Sequence, residues 1–109
     1  MKKVSIIIPV YNEEKTIIQI LKKIDSEKKK IKNFVFEIIV INDNSTDKTK
    51  KLLDKEKNLY DKFHTHNKNY GKGEAIKSGL NICTGEYVLF QDADLEYDVN
   101  DYSKILFPI

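Results

Sequence analysis

Asp92, Asp94, Glu96 and Asp98 fall at alternate positions directly after the apolar run YVLF, residues 87–90. In extended backbone, side chains two residues apart point the same way. Asp92 and Asp94 therefore set two carboxylates on one side, with only the small Ala93 between them. Two hard oxygen donors at that spacing suit Mg²⁺ or Mn²⁺. Magnesium typically takes one or two protein carboxylates and fills its other positions with water and phosphate oxygens. Asp-Ala-Asp thus suggests a metal-bridged diphosphate. The stretch is not a calcium loop of the EF-hand kind. Counted from Asp92, Tyr97 stands where Gly is required and Ser103 where the bidentate Glu belongs. Alone, such a pair is most often a solvated acidic turn, so its meaning depends on what the fold brings near it.

Three other polar clusters are candidates. NYGKGEA, residues 69–75, opens a helical pattern with two glycines and Lys72. Helix N-terminal amides and a lysine suit an anion. It matches neither the P-loop nor the dinucleotide fingerprint, since Ile76 holds the last glycine position, and an ordinary glycine turn explains it equally well. Asp43 follows an apolar strand in NDNSTD, residues 42–47, where Ser45, Thr46 and Asp47 read as a helix cap. Asp43 is one position too early to be needed as a cap, and its carboxylate is free to accept from a nucleobase N–H or a ribose hydroxyl. Glu13 reads first as a first-turn helix acid, and Tyr11 as an aromatic that either stacks on a base or packs. His64 and His66 have no Cys or His partner at ligand spacing and read as core or surface histidines, and Cys83 as a small buried hydrophobe.

Elements that position these residues are legible in the pattern. VSIIIPV, FEIIVIND and EYVLFQDAD are short apolar runs ending in polar residues, the habit of strands covered on both faces. DKFHTHN reads as a further short strand. Between the strands lie helical patterns: residues 13–26 with Ile17, Ile20, Leu21 and Ile24 on one face, a second after Thr46, a third over GKGEAIKSGLNI that stops at the Gly85 turn, and a last one after an Asn100 cap. This β-α alternation predicts an α/β layered domain with a mostly parallel four-stranded sheet and right-handed crossovers. In such sheets ligands bind beyond the carboxyl ends of the strands, where strand order reverses. Tyr11 and Glu13, Asp43, Lys72, and Asp92 with Asp94 all fall at that edge.

Composition narrows the function. The 109 residues suffice for one domain, spanning 1–109. The net charge of +2 argues against an electrostatic nucleic-acid binder. All 19 basic residues are lysine, so a bound phosphate must be held by Lys, backbone amides or a metal. One cysteine allows no internal disulfide, and the N-terminal apolar run is too short for a secretory signal or a membrane span. A cytoplasmic protein is expected.

Taken together, SIIIPVYNEEKTI, EIIVINDNSTDKT, NYGKGEAIKSGL and TGEYVLFQDADLEY stand in the order of a known family. The chain resembles the N-terminal half of a family 2 glycosyltransferase of the GT-A fold, a three-layer Rossmann-like architecture. QDADLEY looks most like the branch that loads sugars onto polyprenol phosphates, such as dolichol-phosphate mannose synthase. The resemblance implies that Pro9, Tyr11 and Glu13 line a nucleotide pocket, that Asp43 contacts the base, and that Lys72 lies near the diphosphate. It implies that Asp92 and Asp94 bind Mg²⁺ or Mn²⁺, with Asp94 the closer ligand. It further implies a UDP- or GDP-sugar donor, inversion at the anomeric carbon, and an acceptor such as a lipid phosphate at the cytoplasmic membrane face. The family usually reads D-D-G-S where this chain has Asn42-Asp43-Asn44-Ser45. Asn42 loses a charge, and Asn44 tolerates a left-handed backbone better than most residues.

Family catalytic domains run to about twice this length, and the general base is expected beyond Ile109. This chain is therefore expected to carry the donor-binding half, with little turnover alone, to end within or just after a helix, and to leave a sheet edge uncovered through which copies could associate. Two other classes fit parts of the pattern. A nucleotidyltransferase would show a glycine-rich basic loop after the first strand, where this chain has VYNEE. A non-catalytic interaction module descended from the enzyme would bind no nucleotide sugar.

Overall fold

A computed structural model of the chain describes residues 1–93 and the strand Phe107–Pro108. The order is β1 (Lys2–Val10), α1 (Ile17–Lys28), β2 (Phe34–Asn42), α2 (Thr49–Lys55), a single 3-10 turn (Lys57–Leu59), β3 (Lys62–Thr65), α3 (Lys72–Ile82), β4 (Tyr87–Phe90) and β5 (Phe107–Pro108). The sheet runs β3-β2-β1-β4-β5. β1, β2, β3 and β4 are mutually parallel, and β5 is antiparallel to β4. The chain winds outward from β1 through β2 to β3, then crosses back to place β4 on the other side of β1. Strand order reverses at β1, which makes its carboxyl end the switch point of the sheet.

Both faces of β1 are apolar because both are covered. Ile6, Ile8 and Val10 face α1, whose Ile17, Ile20, Leu21 and Ile24 repeat at helical spacing and are fully buried. Ile7 faces α3 together with Ile39, Ile41 and Val88. The buried face of α3 carries Ala75 and Gly79, four residues apart, and these small side chains let the helix lie against Ile7. Each fully buried Ile or Leu here stabilises the fold by roughly 1.5–3 kcal/mol. Truncation of Ile7 to Ala would leave a cavity between sheet and helix.

Three expectations need correction. The first helix begins at Ile17 rather than at Glu13. Residues 13–16 form a turn in which the N–H groups of Thr16 and Ile17 donate to the Glu13 carbonyl, at 3.2 and 2.9 Å. Glu13 is therefore not a first-turn helix acid. The second helix begins at Thr49 rather than directly after Ser45 or Thr46. Of Ser45, Thr46 and Asp47 it is Asp47 that meets its first turn, Oδ1 accepting from the Thr49 N–H at 2.9 Å. At the far end the chain forms a strand, Phe107–Pro108, which pairs with β4 at Tyr87 and Val88. Among the described residues the four expected strands are mutually parallel, and this short antiparallel fifth strand meets the β4 edge expected to be bare at Tyr87 and Val88. The helix expected after Asn100 lies outside the described residues.

Candidate functional site

Two loops leave the carboxyl ends of β1 and β2 and hold each other. Asn12 takes a left-handed backbone, φ 52°, as does Asn44 at φ 61°. The Asn12 carboxamide oxygen accepts from the N–H groups of Thr46 and Asp47, at 2.7 and 3.3 Å, and the Asn12 N–H donates to the Ser45 hydroxyl at 2.9 Å. The N–H groups of Glu13 and Glu14 donate to Thr49 Oγ1 and Asp47 Oδ2. Ser45, Thr46 and Asp47 thus do a second job that capping does not describe: they splint the β1–α1 loop. Asn42 closes the turn, its side-chain oxygen accepting from Ser45 N–H and Oγ at 3.0 and 2.6 Å. Charge at position 42 is not needed for that.

Asp43 sits one residue past β2, and its N–H donates to the Val10 carbonyl at 2.9 Å. The residue is buried. Oδ1 accepts from His66 Nδ1 and from the Tyr70 N–H, both at 2.8 Å, and Oδ2 accepts from the Gly71 N–H at 2.8 Å. Burial pushes this carboxyl up, but the donors from His66, Tyr70 and Gly71 outweigh it and hold it below the usual carboxylate range. Gly71 has φ 96°, a conformation that favours glycine and turns its N–H onto Asp43 just ahead of α3.

Asp92 follows β4. Lys72, the first residue of α3, donates from its ammonium group to Asp92 Oδ1. Lys72 is thus a positive group set among the acids at the start of the acidic run. Ala93 is buried, and its carbonyl accepts from the Thr16 hydroxyl at 2.7 Å, tying the end of β4 to the turn before α1.

Pro9, Tyr11, Glu13, Asp43, Lys72 and Asp92 line one pocket of about 260 Å³ at the switch point. These are the six residues expected to contact a nucleotide sugar, drawn from three strand ends and one helix start. Tyr11 is 43% exposed. Asp94, expected as the closer metal ligand, lies outside the described residues, as does Glu96. Among the described residues no group of three potential ligands forms a cluster. The acidic side chains on the pocket, Glu13, Asp43 and Asp92, offer carboxylate oxygens, donors that suit a hard divalent ion and not a soft one.

The residue that sequence reasoning missed is His66. Its neighbour His64 is exposed, whereas His66 is buried and joins Asp43 to Ser78 Oγ, which lies 2.8 Å from Nε2. The parallel register Asn42↔Thr65 brings residue 66 alongside residue 43. Nothing in composition or local pattern fixes that register. Cys83, expected as a buried hydrophobe, is half-buried and its thiol contacts the Leu80 carbonyl at 3.3 Å.

A mostly parallel sheet covered on both faces, with a charged crevice where strand order reverses, defines a doubly wound, Rossmann-like α/β domain. The chain belongs to glycosyl transferase family 2, whose family model matches residues 5–109. A relative of this chain, 36% identical over 97% of it, is an undecaprenyl-phosphate 4-deoxy-4-formamido-L-arabinose transferase of Proteus mirabilis. Among solved structures, TarS of S. aureus in complex with UDP-GlcNAc superposes on 84% of the chain, with TM-score 0.70 and 33% identity. A mannosyltransferase of Pyrobaculum calidifontis in complex with GDP-Man and Mn²⁺ superposes on 92%, with TM-score 0.71 and 26% identity. The chain spans about a third of the length of the curated relatives it matches, 26% of the TarS 1-349 chain in that complex and 30% of the mannosyltransferase.

Proposed function

We propose that the pocket binds the nucleotide diphosphate of a sugar donor, and that the protein to which this architecture belongs transfers the sugar to an acceptor with inversion. The observation that carries the reading is the convergence of Tyr11, Asp43, Lys72 and Asp92 on one crevice at the switch point. Tyr11 stacks on the base. The anionic Asp43 accepts a hydrogen bond from it. Lys72, pre-placed beside Asp92, supplies the positive charge that a diphosphate needs in a chain without arginine. Asp92 and Asp94 would hold a divalent cation, which when bound supplies neutralisation of the leaving diphosphate. Two bound neighbours, one with UDP-GlcNAc and one with GDP-Man and Mn²⁺, support this reading.

The acceptor we infer is a polyprenol phosphate, on the strength of the undecaprenyl-phosphate relative. Such a phosphate is already ionised at neutral pH and needs little general-base help. Among the described residues no helix is long and apolar enough to cross a membrane. A lipid acceptor would be met at the cytoplasmic membrane face. Calorimetric titration with UDP- and GDP-sugars, with and without Mn²⁺, tests the donor site. Binding that needs metal and is lost in Asp92→Ala supports it. Absence of binding at millimolar ligand would sink it and favour an interaction module.

A further inference from the structure

Asp43 has a countable hydrogen-bonding capacity. An ionised carboxylate offers about four lone-pair sites, two on each oxygen. Oδ1 has both engaged, by His66 Nδ1 and the Tyr70 N–H. Oδ2 has one engaged, by the Gly71 N–H. One acceptor site is left, on Oδ2, and Asp43 lines the pocket. Of the three donors, two are backbone groups fixed by the turn before α3. The third, His66, is the only one a side-chain substitution can remove.

His66 is itself held. With Asp43 anionic, Nδ1 carries the proton that bridges them, and Nε2 is left to take the Ser78 hydroxyl at 2.8 Å. The ring packs edge-on against Tyr70, with centroids 5.3 Å apart. Asp43, His66 and Ser78 share the connectivity of a hydrolytic triad. Ser78, however, lies inside α3, where the neighbouring N–H groups are spent on helix bonds and cannot serve an oxyanion.

We propose that His66, backed by Ser78, is a positioning residue that leaves Asp43 with a single open acceptor site, and that this site selects a nucleobase with one ring N–H, as in uracil, over one with paired N–H donors, as in guanine. A guanine edge presents two adjacent donors that call for both carboxylate oxygens. Here Oδ1 is saturated, so one of those donors would find no acceptor on Asp43, a deficit that weighs against guanine. A uracil edge presents one donor and is fully met by Oδ2. The inference rests on the donor-site reading, and the likeness to both a UDP-sugar and a GDP-sugar complex leaves the base undecided.

The test measures dissociation constants of the 109-residue chain for UDP, GDP and inorganic pyrophosphate, each with Mn²⁺, by calorimetry. The unmodified chain is expected to prefer UDP over GDP by at least about tenfold. In His66→Ala, Oδ1 regains a lone pair, and the UDP-to-GDP ratio is expected to fall toward one while pyrophosphate affinity is unchanged. His66→Asn, whose amide can replace the Nδ1 donor, should restore most of the ratio, and Ser78→Ala should give an intermediate value. A structural role alone would weaken UDP and GDP equally. An unchanged ratio in His66→Ala, or no preference in the unmodified chain that binds pyrophosphate, overturns this inference and leaves the donor site standing. Failure of all three ligands to bind overturns the donor-site reading and this one with it. If His66→Ala does not fold, the Ser78→Ala ratio decides, and an unchanged value there counts against the proposal.

Discussion

Two buried carboxylates lie six residues apart on one stretch of chain, Glu37 within β2 and Asp43 just beyond it, and they do opposite things. Glu37 is satisfied entirely by its own protein. Its Oε1 accepts from the Ser5 hydroxyl and the Thr84 N–H, at 2.8 and 2.9 Å. Its Oε2 accepts from the Thr84 hydroxyl at 3.0 Å and pairs with Lys62 and Lys3 at 3.0 and 3.5 Å. Burial pushes Glu37 up, but these donors more than offset it and bring it down to about 2. Asp43 is held as firmly by three donors, yet it keeps one acceptor site and a wall of the pocket. Burial and a depressed pKa are common to both. What separates a structural acid from a candidate site is the capacity left unmet.

The largest expected effect comes from removing the charge that is fully met. Glu37→Gln should lower stability by about 3 kcal/mol, the difference between a carboxyl at 4.5 and one at about 2. Thermal melting should fall by roughly 10–20 °C, with nucleotide affinity unchanged in the folded protein. The sign of the pH dependence follows from the same shift. Between pH 4.5 and 2 the unfolded Glu37 binds a proton that the folded one does not. Stability is therefore present above 4.5 and is lost as pH falls toward 2. Melting curves across that window should show a shallower slope in Glu37→Gln.

Next is the platform beneath Glu37. A Cβ on Gly85 would lie 2.6 Å from Ser5 Oγ and 2.7 Å from Ser5 N. Gly85→Ala should destabilise by about 1–3 kcal/mol through overpacking, read by urea denaturation. Asp43→Asn turns the comparison around. It should weaken UDP binding by about tenfold or more, since a hydrogen bond to a charged group is lost, while costing less stability than Glu37→Gln. His64→Ala is the smallest. His64 is exposed and two residues from His66, and its loss should change stability by less than about 0.5 kcal/mol and leave the UDP-to-GDP ratio within error.

Much of the fold was legible because β1, β2 and β4 are apolar on both faces and the helices between them are amphipathic. Those patterns report burial directly. The candidate pocket was legible in part, because strand-end polar residues converge in any parallel sheet with this alternation. Glu13 was placed wrongly within a helix because the turn over residues 13–16 mimics a helix start. Ser45, Thr46 and Asp47 have the composition of a cap, and their splinting of the β1–α1 loop depends on tertiary contact with Asn12. The Glu37 cluster and the His66 link were not legible. Each is assembled by strand register and helix packing from residues 12 to 80 positions apart, and residue type alone fixes no register.

The most direct test is a ¹H–¹⁵N correlation spectrum of the chain titrated with UDP and Mg²⁺. Amides donating to Asp43, those of Tyr70 and Gly71, should move with saturable dependence on nucleotide, while the Thr84 and Gly85 amides beside Glu37 and Ser5 stay in place. Movement confined to Thr84 and Gly85, or none at either place at millimolar UDP, would contradict a nucleotide site at the carboxyl ends of β1, β2 and β4.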